Sequence, residues 1–559
     1  MGVVLSLFML IGGVGVFMTG MKTMGDGLEH GAGKGIQRLL GKISNNRFAG
    51  FGIGAAVTGI IQSSSATTVM VIGFTNAGIM TLIQAASIIF GANVGTTVTG
   101  LISALSAFPV TGYFASLAFV GIFIIMFSKK EKIILAGKIL SGLGFIFIGL
   151  DLMGGAFKNY AALNQAVRSV FASVEFPLIL VMFGMVFTGI IQSSSAVIGI
   201  IISMIGAEVL PLDRALFIVL GANIGTCVTA LIAAVGTNVN AKRASAIHLL
   251  FNIVGTIVFV ALLWIFTDGI ISFLERTVSE PKFQVAVFHL IFNLATALIV
   301  LPFTERLVKF VEKIIPEKAP KRKDGFRLAY IDDRLLSTPP AAIYQLKNEV
   351  KGMADLAKKN LVRGVNSVLK RDTSEKEIVF SDEEKINFIN KGIAAFLIKL
   401  SSVSTAKSEE VYIGSLHHVI SDIERIGDYA QNFIEETDEI IGKRVVFSQS
   451  AIDEIKAMYK KVIVMYDMAV DILLTGDTKK FGIVSGVEDE VDEMKKTFGN
   501  NHIKRLNEGS CSVDSGAYFY AVISGLERVA DHLTNIAFSI KSPSGSEREA
   551  MAAVARERG

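Results

Sequence analysis

Charged side chains are scarce in this 559-residue chain before about Pro302 and dense beyond it. The scarcity excludes an ordinary water-soluble fold for the front half, because a soluble surface needs charge to stay solvated. With 51% hydrophobic residues and a mean hydropathy of +0.54, the chain reads as a multi-span membrane domain followed by a soluble one. Cysteine is nearly missing: Cys227 and Cys511 stand one in each half, which rules out a disulfide framework and suits a soluble part facing a reducing cytosol. No basic segment precedes the first apolar run, "MGVVLSLFMLIGGVGVFMTG", so it is expected to be a retained span and not a cleaved signal peptide. A net charge of only +4 does not argue for nucleic acid.

What is present is a repeat. "TGIIQSSSATT" begins at Thr58 and "TGIIQSSSAVI" at Thr188, an offset of 130. "GANVGTTVTGLISAL" begins at Gly91 and "GANIGTCVTALIAAV" at Gly221, again 130 apart, so two motifs keep one register and mark a duplication. The apolar pieces around them, 48–61, 66–77, 82–90 and 94–107, fall short of the ~20 residues that cross a bilayer as helix. By contrast 3–18, 111–127, 133–153, 244–266 and 283–302 are long enough or nearly so. Short pieces at matching places of two repeats suggest re-entrant hairpins and broken helices around a transporter's substrate site. Loops rich in Lys and Arg stay cytoplasmic. Lys22, Lys34, Arg38, Lys42 and Arg47 precede the first QSSS, whereas only Lys158 and Arg168 occupy the equivalent stretch of repeat two. "SKKEK" at 128–132 and Lys242–Arg243 add two basic loops. The pattern fits an inverted-topology repeat.

Neither motif contains a charge. A half-helix that starts in the membrane presents free N–H groups to an anion, and one that ends there presents carbonyls to a cation. Gln62, Ser63, Ser64 and Ser65, mirrored by Gln192, Ser193, Ser194 and Ser195, supply donors and acceptors. Asn93, Thr96, Thr97, Asn223 and Thr226 add more, and Gly91, Gly95, Gly221 and Gly225 permit close backbone approach. The competing reading is that these small residues only let helices pack tightly. Asp151 and Glu175, at the ends of apolar segments, are left without a role.

The two QSSS loops, each followed by a GAN-GT segment, resemble the type II sodium–phosphate cotransporters over roughly residues 1–305. The resemblance implies that the QSSS residues 62–65 and 192–195 bind inorganic phosphate, with Na⁺ as coupling ion and Asn93, Thr96, Asn223 and Thr226 supporting sodium or the site. A further family pattern, HxxFN, stands as "HLLFN" (His248, Asn252) and "HLIFN" (His289, Asn293). Position 118, in register with His248, is alanine, so these histidines are expected to bond helix backbone and not to form a symmetric pair. Sodium coupling makes electrostatic sense: one charge crossing 100 mV is worth ~2.3 kcal/mol, and a dianion entering a negative interior costs about twice that.

After Pro302, "IPEKAPKRKDGFR" is a basic linker suited to anionic headgroups. From about Ala341 to Ser539 apolar residues recur at helical spacing with little proline, the pattern of a helical bundle. "ISDIERIGDYAQNF", with Glu424 and Asp428, and "ISGLERVADHLTNI", with Glu527 and Asp531, repeat at an offset of 103 and imply two three-helix units. These segments are similar to PhoU domains, regulators of phosphate uptake, over roughly 335–542. That resemblance implies that the ExxxD carboxylates can hold iron, zinc or another metal. The alternative is pairing with Arg425, Arg528 or nearby lysines, and Asn387, where the second unit has Asp492, thins the first set.

The expected architecture is therefore all-α. A polytopic membrane domain spans 1–305 (repeat one about 1–130, repeat two about 131–305), with a linker at 306–334, a PhoU-like bundle at 335–542 and a flexible tail at 543–559. The expected function is sodium-coupled secondary transport of inorganic phosphate by alternating access in the inner or plasma membrane, regulated by a cytoplasmic C-terminal domain. The alternative is a membrane phosphate sensor that binds without translocating. An enzyme is not expected, since the serines lack a nucleophile elbow and a base. Phosphate, sodium, the lipid bilayer and a second copy in a homodimer are the expected partners.

Overall fold

The computed structural model describes residues 2–40, 46–108, 111–174, 176–317, 326–403, 407–542, 549–551 and 554. Lys42, Glu175, most of the linker's basic run and most of the 543–559 tail lie outside the described residues. Every regular element among the described residues is helical. The chain divides into two compact units, 1–321 with 334–341, and 322–333 with 342–559.

In the first unit the helices are α1 (Gly2–Gly31), α2 (Gly33–Leu40), α3 (Arg47–Ile61), α4 (Ser64–Asn76), α5 (Leu82–Gly95), α6 (Thr97–Ala104), α7 (Thr111–Phe127) and α8 (Glu131–Lys158). They continue with α9 (Ala161–Ser173), α10 (Pro177–Ile191), α11 (Ser194–Gly206), α12 (Leu212–Ala233), α13 (Val239–Thr277), α14 (Pro281–Val300) and α15 (Thr304–Ile314). Among the described residues, seven helical stretches are long and apolar enough to cross a membrane, and six of them lie in this unit. Of the pieces expected to be short, 48–61 and 66–77 are short, whereas 82–90 and 94–107 join into one helical stretch, Leu82–Ala107, that is long enough to span. At ~1.5 Å per residue, α3, α4, α10 and α11 reach about 20 Å, less than the ~30 Å of a hydrocarbon core. The span expected to end at 266 continues as α13, but with a kink where Phe266 leaves helical geometry (φ −122°, ψ 29°).

In repeat one the GAN-GT segment passes a single turn at Thr96, whose backbone stays helical (φ −64°, ψ −24°), between α5 and α6, and in repeat two the same segment runs inside α12. Just beyond it the Thr97 hydroxyl donates to the Val94 carbonyl at 2.7 Å, where repeat two has Cys227, whose thiol bonds the Asn223 carbonyl. The glycines act as close-approach points. A Cβ on Gly91 would lie 2.0 Å from the Phe51 carbonyl oxygen, and one on Gly221 would lie 1.9 Å from that of Val181. Packing therefore accounts for these glycines in both repeats.

The repeats interlock: α4 packs on α12 and α13 of repeat two, and α11 packs on α6 of repeat one as well as on α8, α12 and α14 of its own repeat. α1 and α8 run antiparallel, with Gly13 against Met153 and Gly27 against Leu135 and Ile139. One end of the unit gathers Arg47, which donates to the Pro302 carbonyl at 2.9 Å, and Arg243, which donates to that of Ile315 at 3.0 Å. Asn238 bonds Asn76 at the foot of α4.

The second unit contains α16 (Pro339–Lys370), whose first turn belongs to the first unit, α17 (Lys376–Val403), α18 (Lys407–Gly442), α19 (Gln449–Thr475), α20 (Phe481–Asn507) and α21 (Val513–Phe538). α17 passes the length and hydropathy test for a span. It nevertheless carries Asp382, Glu383, Lys391 and Lys399 and packs along α18, so it is a bundle helix. Tyr466 on α19 donates to the Ala354 carbonyl on α16 at 2.6 Å, and α18 packs on α21, which joins the two helix triplets. The buried Glu349 carboxylate accepts the amides of Ala329, Tyr330 and Ile331 and fastens that segment to α16.

Candidate functional site

Both QSSS motifs are helix breaks of one geometry. Gln62 ends α3 in the left-handed region (φ 59°, ψ 24°) and Gln192 ends α10 there (φ 59°, ψ 22°). A left-handed non-glycine residue costs roughly 1–2 kcal/mol and is held only by its surroundings. Ser63 and Ser193 follow in extended backbone and cap α4 and α11, their hydroxyls accepting from the amides of Ala66 and Ala196 at 3.2 Å each. The amides of Ser64 and Ser65, and of Ser194 and Ser195, then have no carbonyl of their own helix to bond. Ser64, Ser194 and Ser195 are buried and Ser65 is half-buried. Each break thus presents two amides and two hydroxyls at the positive end of a helix, an arrangement suited to an oxyanion.

The side chains of the two glutamines differ. Gln62 is buried, donates to the Gly59 carbonyl and accepts from the Thr99 hydroxyl at 2.9 Å, while Thr58 donates to Thr67 at 2.9 Å. Gln192 is exposed. The hydroxyls in register with Thr58 and Thr99, those of Thr188 and Thr229, are buried with no partner. Among the described residues no hydrogen bond joins one QSSS motif to the other. Thr99 and Thr229 escaped the motif reading, although their shared 130-residue register was a usable signal.

Asn93 and Asn223 anchor a second layer. Their Nδ2 groups bond the carbonyls of Ile89 and Val219, and their Oδ1 atoms face His248 Nε2 and His289 Nε2, each at 3.4 Å. This corrects the expected backbone role of the histidines. They do form a matched pair, related by 41 residues and not by 130, because His248 on α13 faces Asn93 on α5 and His289 on α14 faces Asn223 on α12. Asn252 and Asn293 donate to the carbonyls of those histidines at 3.0 and 2.9 Å, and Phe251 stacks on Phe90 with centroids 4.8 Å apart. Four atoms are left buried and unpartnered: Nδ1 of both histidines and Oδ1 of both asparagines. Thr96 is buried at the α5–α6 turn, and Thr226 bonds the Ala222 carbonyl at 3.1 Å.

In the second unit Asp531 meets Glu488 and Asp492, each offering a ligand atom within 4.8 Å of the others, a set suited to a hard or borderline cation. Burial, then Glu527 and Asp492, push the Asp531 carboxyl up. Glu527 itself is paired with Lys495 at 2.9 Å, as the ion-pair alternative anticipated. In the first triplet, Glu383 joins Glu424 and Asp428, and burial chiefly raises all three carboxyls. Asn387 donates to Glu383, and Arg425 lies 3.8 Å from Asp428.

A membrane unit of interlocked repeats with two capped helix breaks, followed by a bundle of two helix triplets, defines a membrane protein of the transporter class with an appended helical bundle. The chain belongs to the Na⁺/Pi-cotransporter family, whose pattern matches residues 16–155 and 159–275, and the PhoU domain family matches 350–437 and 455–540. It is 23% identical over 540 residues to the Escherichia coli K12 protein named "Putative inorganic phosphate export protein YjbB", covering 96% of this chain and 97% of that one. It is 32% identical to the uncharacterized protein YqeW of Bacillus subtilis over 302 residues, 54% of this chain and 96% of that one. Over 134 residues it is 34% identical to the human sodium-dependent phosphate transport protein 2C, 22% of each chain.

Proposed function

We propose that the chain is a sodium-coupled transporter of inorganic phosphate working by alternating access, with phosphate held between the amides and hydroxyls of 62–65 and 192–195. The observation that carries this reading is the matched pair of helix breaks with one glutamine docked and the other released. A static receptor has no need of two such half-sites in opposite states. The hairpins fit entry from opposite faces: α4 ends at Asn76 beside Asn238 and the basic Lys242–Arg243 loop, whereas α11 ends at Gly206 against Lys282. By the charge rule the Arg47 and Arg243 end is cytoplasmic, and the C-terminal unit is read as cytosolic in a cell whose inner or plasma membrane holds the first unit. The unpartnered Oδ1 atoms of Asn252 and Asn293, beside Asn93 and Asn223, are oxygen ligands available to Na⁺. The PhoU-like unit regulates flux, and Glu488, Asp492 and Asp531 hold its metal. Direction is set by the gradients: the name of the E. coli relative favours export when internal phosphate is high, and the same cycle imports when sodium drives it.

The test is phosphate counterflow in proteoliposomes with sodium or choline. Exchange of lumenal phosphate is expected only with sodium, and replacing Ser64 or Ser194 with leucine is expected to abolish it while the protein still elutes as a folded species. Full exchange in choline removes the coupling, and no exchange under any cation removes transport.

A further inference from the structure

At the end of the first unit opposite the 128–132 basic loop, a cavity of about 280 Å³ opens among Ser106, Asp151, Lys158, Asn159, Ser203 and Lys282. It is built by α8, α11, α14 and the 3-10 turn Leu105–Ala107 after α6, so it stands about 18 Å along α11 from Ser194 and is distinct from the helix breaks. Lys282 is built in. Its Nζ donates to the carbonyl and hydroxyl of Ser106 at 2.8 and 3.2 Å, and its stem lies over Gly206, where a Cβ would come within 2.2 Å of Cε. An ammonium has three donors, so one N–H is left for the cavity. Lys158 and Asp151 project from α8 into the same space, and Glu280 sits just outside it. Two ammonium groups against one carboxylate leave the lining itself net positive, with Glu280 behind Lys282 and outside the space a ligand would fill. The cavity's volume equals about nine water molecules, room for a partly hydrated small oxyanion.

We propose that this cavity is a second anion site, an antechamber that takes inorganic phosphate at the far face before or after the QSSS breaks. The inference rests on the transport reading for its purpose and on the two lysines for its chemistry. Gly154 and Gly155 keep the α8 wall free of side chains, and the exposed Lys158 and Asp151 keep the mouth reachable from solvent. A positive antechamber raises the local anion concentration and makes capture steeply dependent on ionic strength.

The experiment titrates labelled inorganic phosphate into the full-length protein purified in detergent. The variants are K158E, K282Q, and Q62L/Q192L with and without K158E. The Q62L/Q192L protein is expected to keep weak, salt-sensitive phosphate binding, and adding K158E is expected to weaken it at least about fivefold. K158E leaves the Ser106 contact of Lys282 intact, so it stays informative if K282Q fails to fold. Titration of K158E and K282Q indistinguishable from the wild type overturns the antechamber. Binding that needs the lysines in a protein that exchanges no phosphate keeps the antechamber and removes the transport reading, so the two failures are separable.

Discussion

Glu436 sits half-buried on α18 between Glu435 and Glu439, and burial first, then those two carboxylates, push its carboxyl up to about 7. Its Oε2 has no hydrogen-bond partner. The fold favours the protonated form, so the stability this group contributes is full below its ordinary value of 4.5 and is lost as pH rises through about 7. Glu436→Gln is therefore expected to stabilise the C-terminal unit by about 1–3 kcal/mol at pH 8 and to change little at pH 4.5. Thermal melting of the full-length protein at the two pH values checks this, and equal effects at both would contradict it. Residues such as Gln62 and Ser63 were legible because polarity inside an apolar run stands out. Thr99 and Lys282 were not, since their meaning depends on partners 37 and 176 residues away, Gln62 and Ser106.

At the scale of elements, α7 spans the residues expected and α3 and α4 differ from expectation by a residue or two, whereas α1 runs on from 18 to Gly31 and α13 covers Val239–Thr277 in place of 244–266. The turn at Thr96 was not legible as different from its counterpart, because "GANVGT" and "GANIGT" look alike. The crossing of α3 and α5 leaves no room at Gly91, whose Cβ would meet the Phe51 carbonyl oxygen, whereas Gly59 on the same hairpin meets nothing closer than 3.9 Å. Gly91→Ala is thus expected to prevent recovery of folded protein, at a cost of about 3 kcal/mol or more, while Gly59→Ala folds normally. Size-exclusion profiles of the two variants in detergent are the check, and a normal Gly91→Ala profile would refute the close crossing. Composition also misplaces α17 among the spans. Only its packing beside α18 shows that its apolar stripe is bundle core.

For the molecule as a whole, two repeats of one design rest in unlike states. On the alternating-access reading, exchanging their roles gives the opposite-facing form, and to first order the two forms have the same energy. What breaks the tie is where the copies differ. Thr58 is satisfied by Thr67, but the residue in register with Thr67 is Val197, so docking Gln192 on Thr229 still leaves the Thr188 hydroxyl without that partner. One missing hydrogen bond of about 1 kcal/mol corresponds to a ratio of about five between the forms. V197T is expected to move the ratio of half-saturating phosphate at the two faces of oriented proteoliposomes by about that factor, and an unmoved ratio would remove the argument. A single methyl-for-hydroxyl difference between ancient copies then acts as the resting bias of the machine, deciding which side of the membrane it waits on.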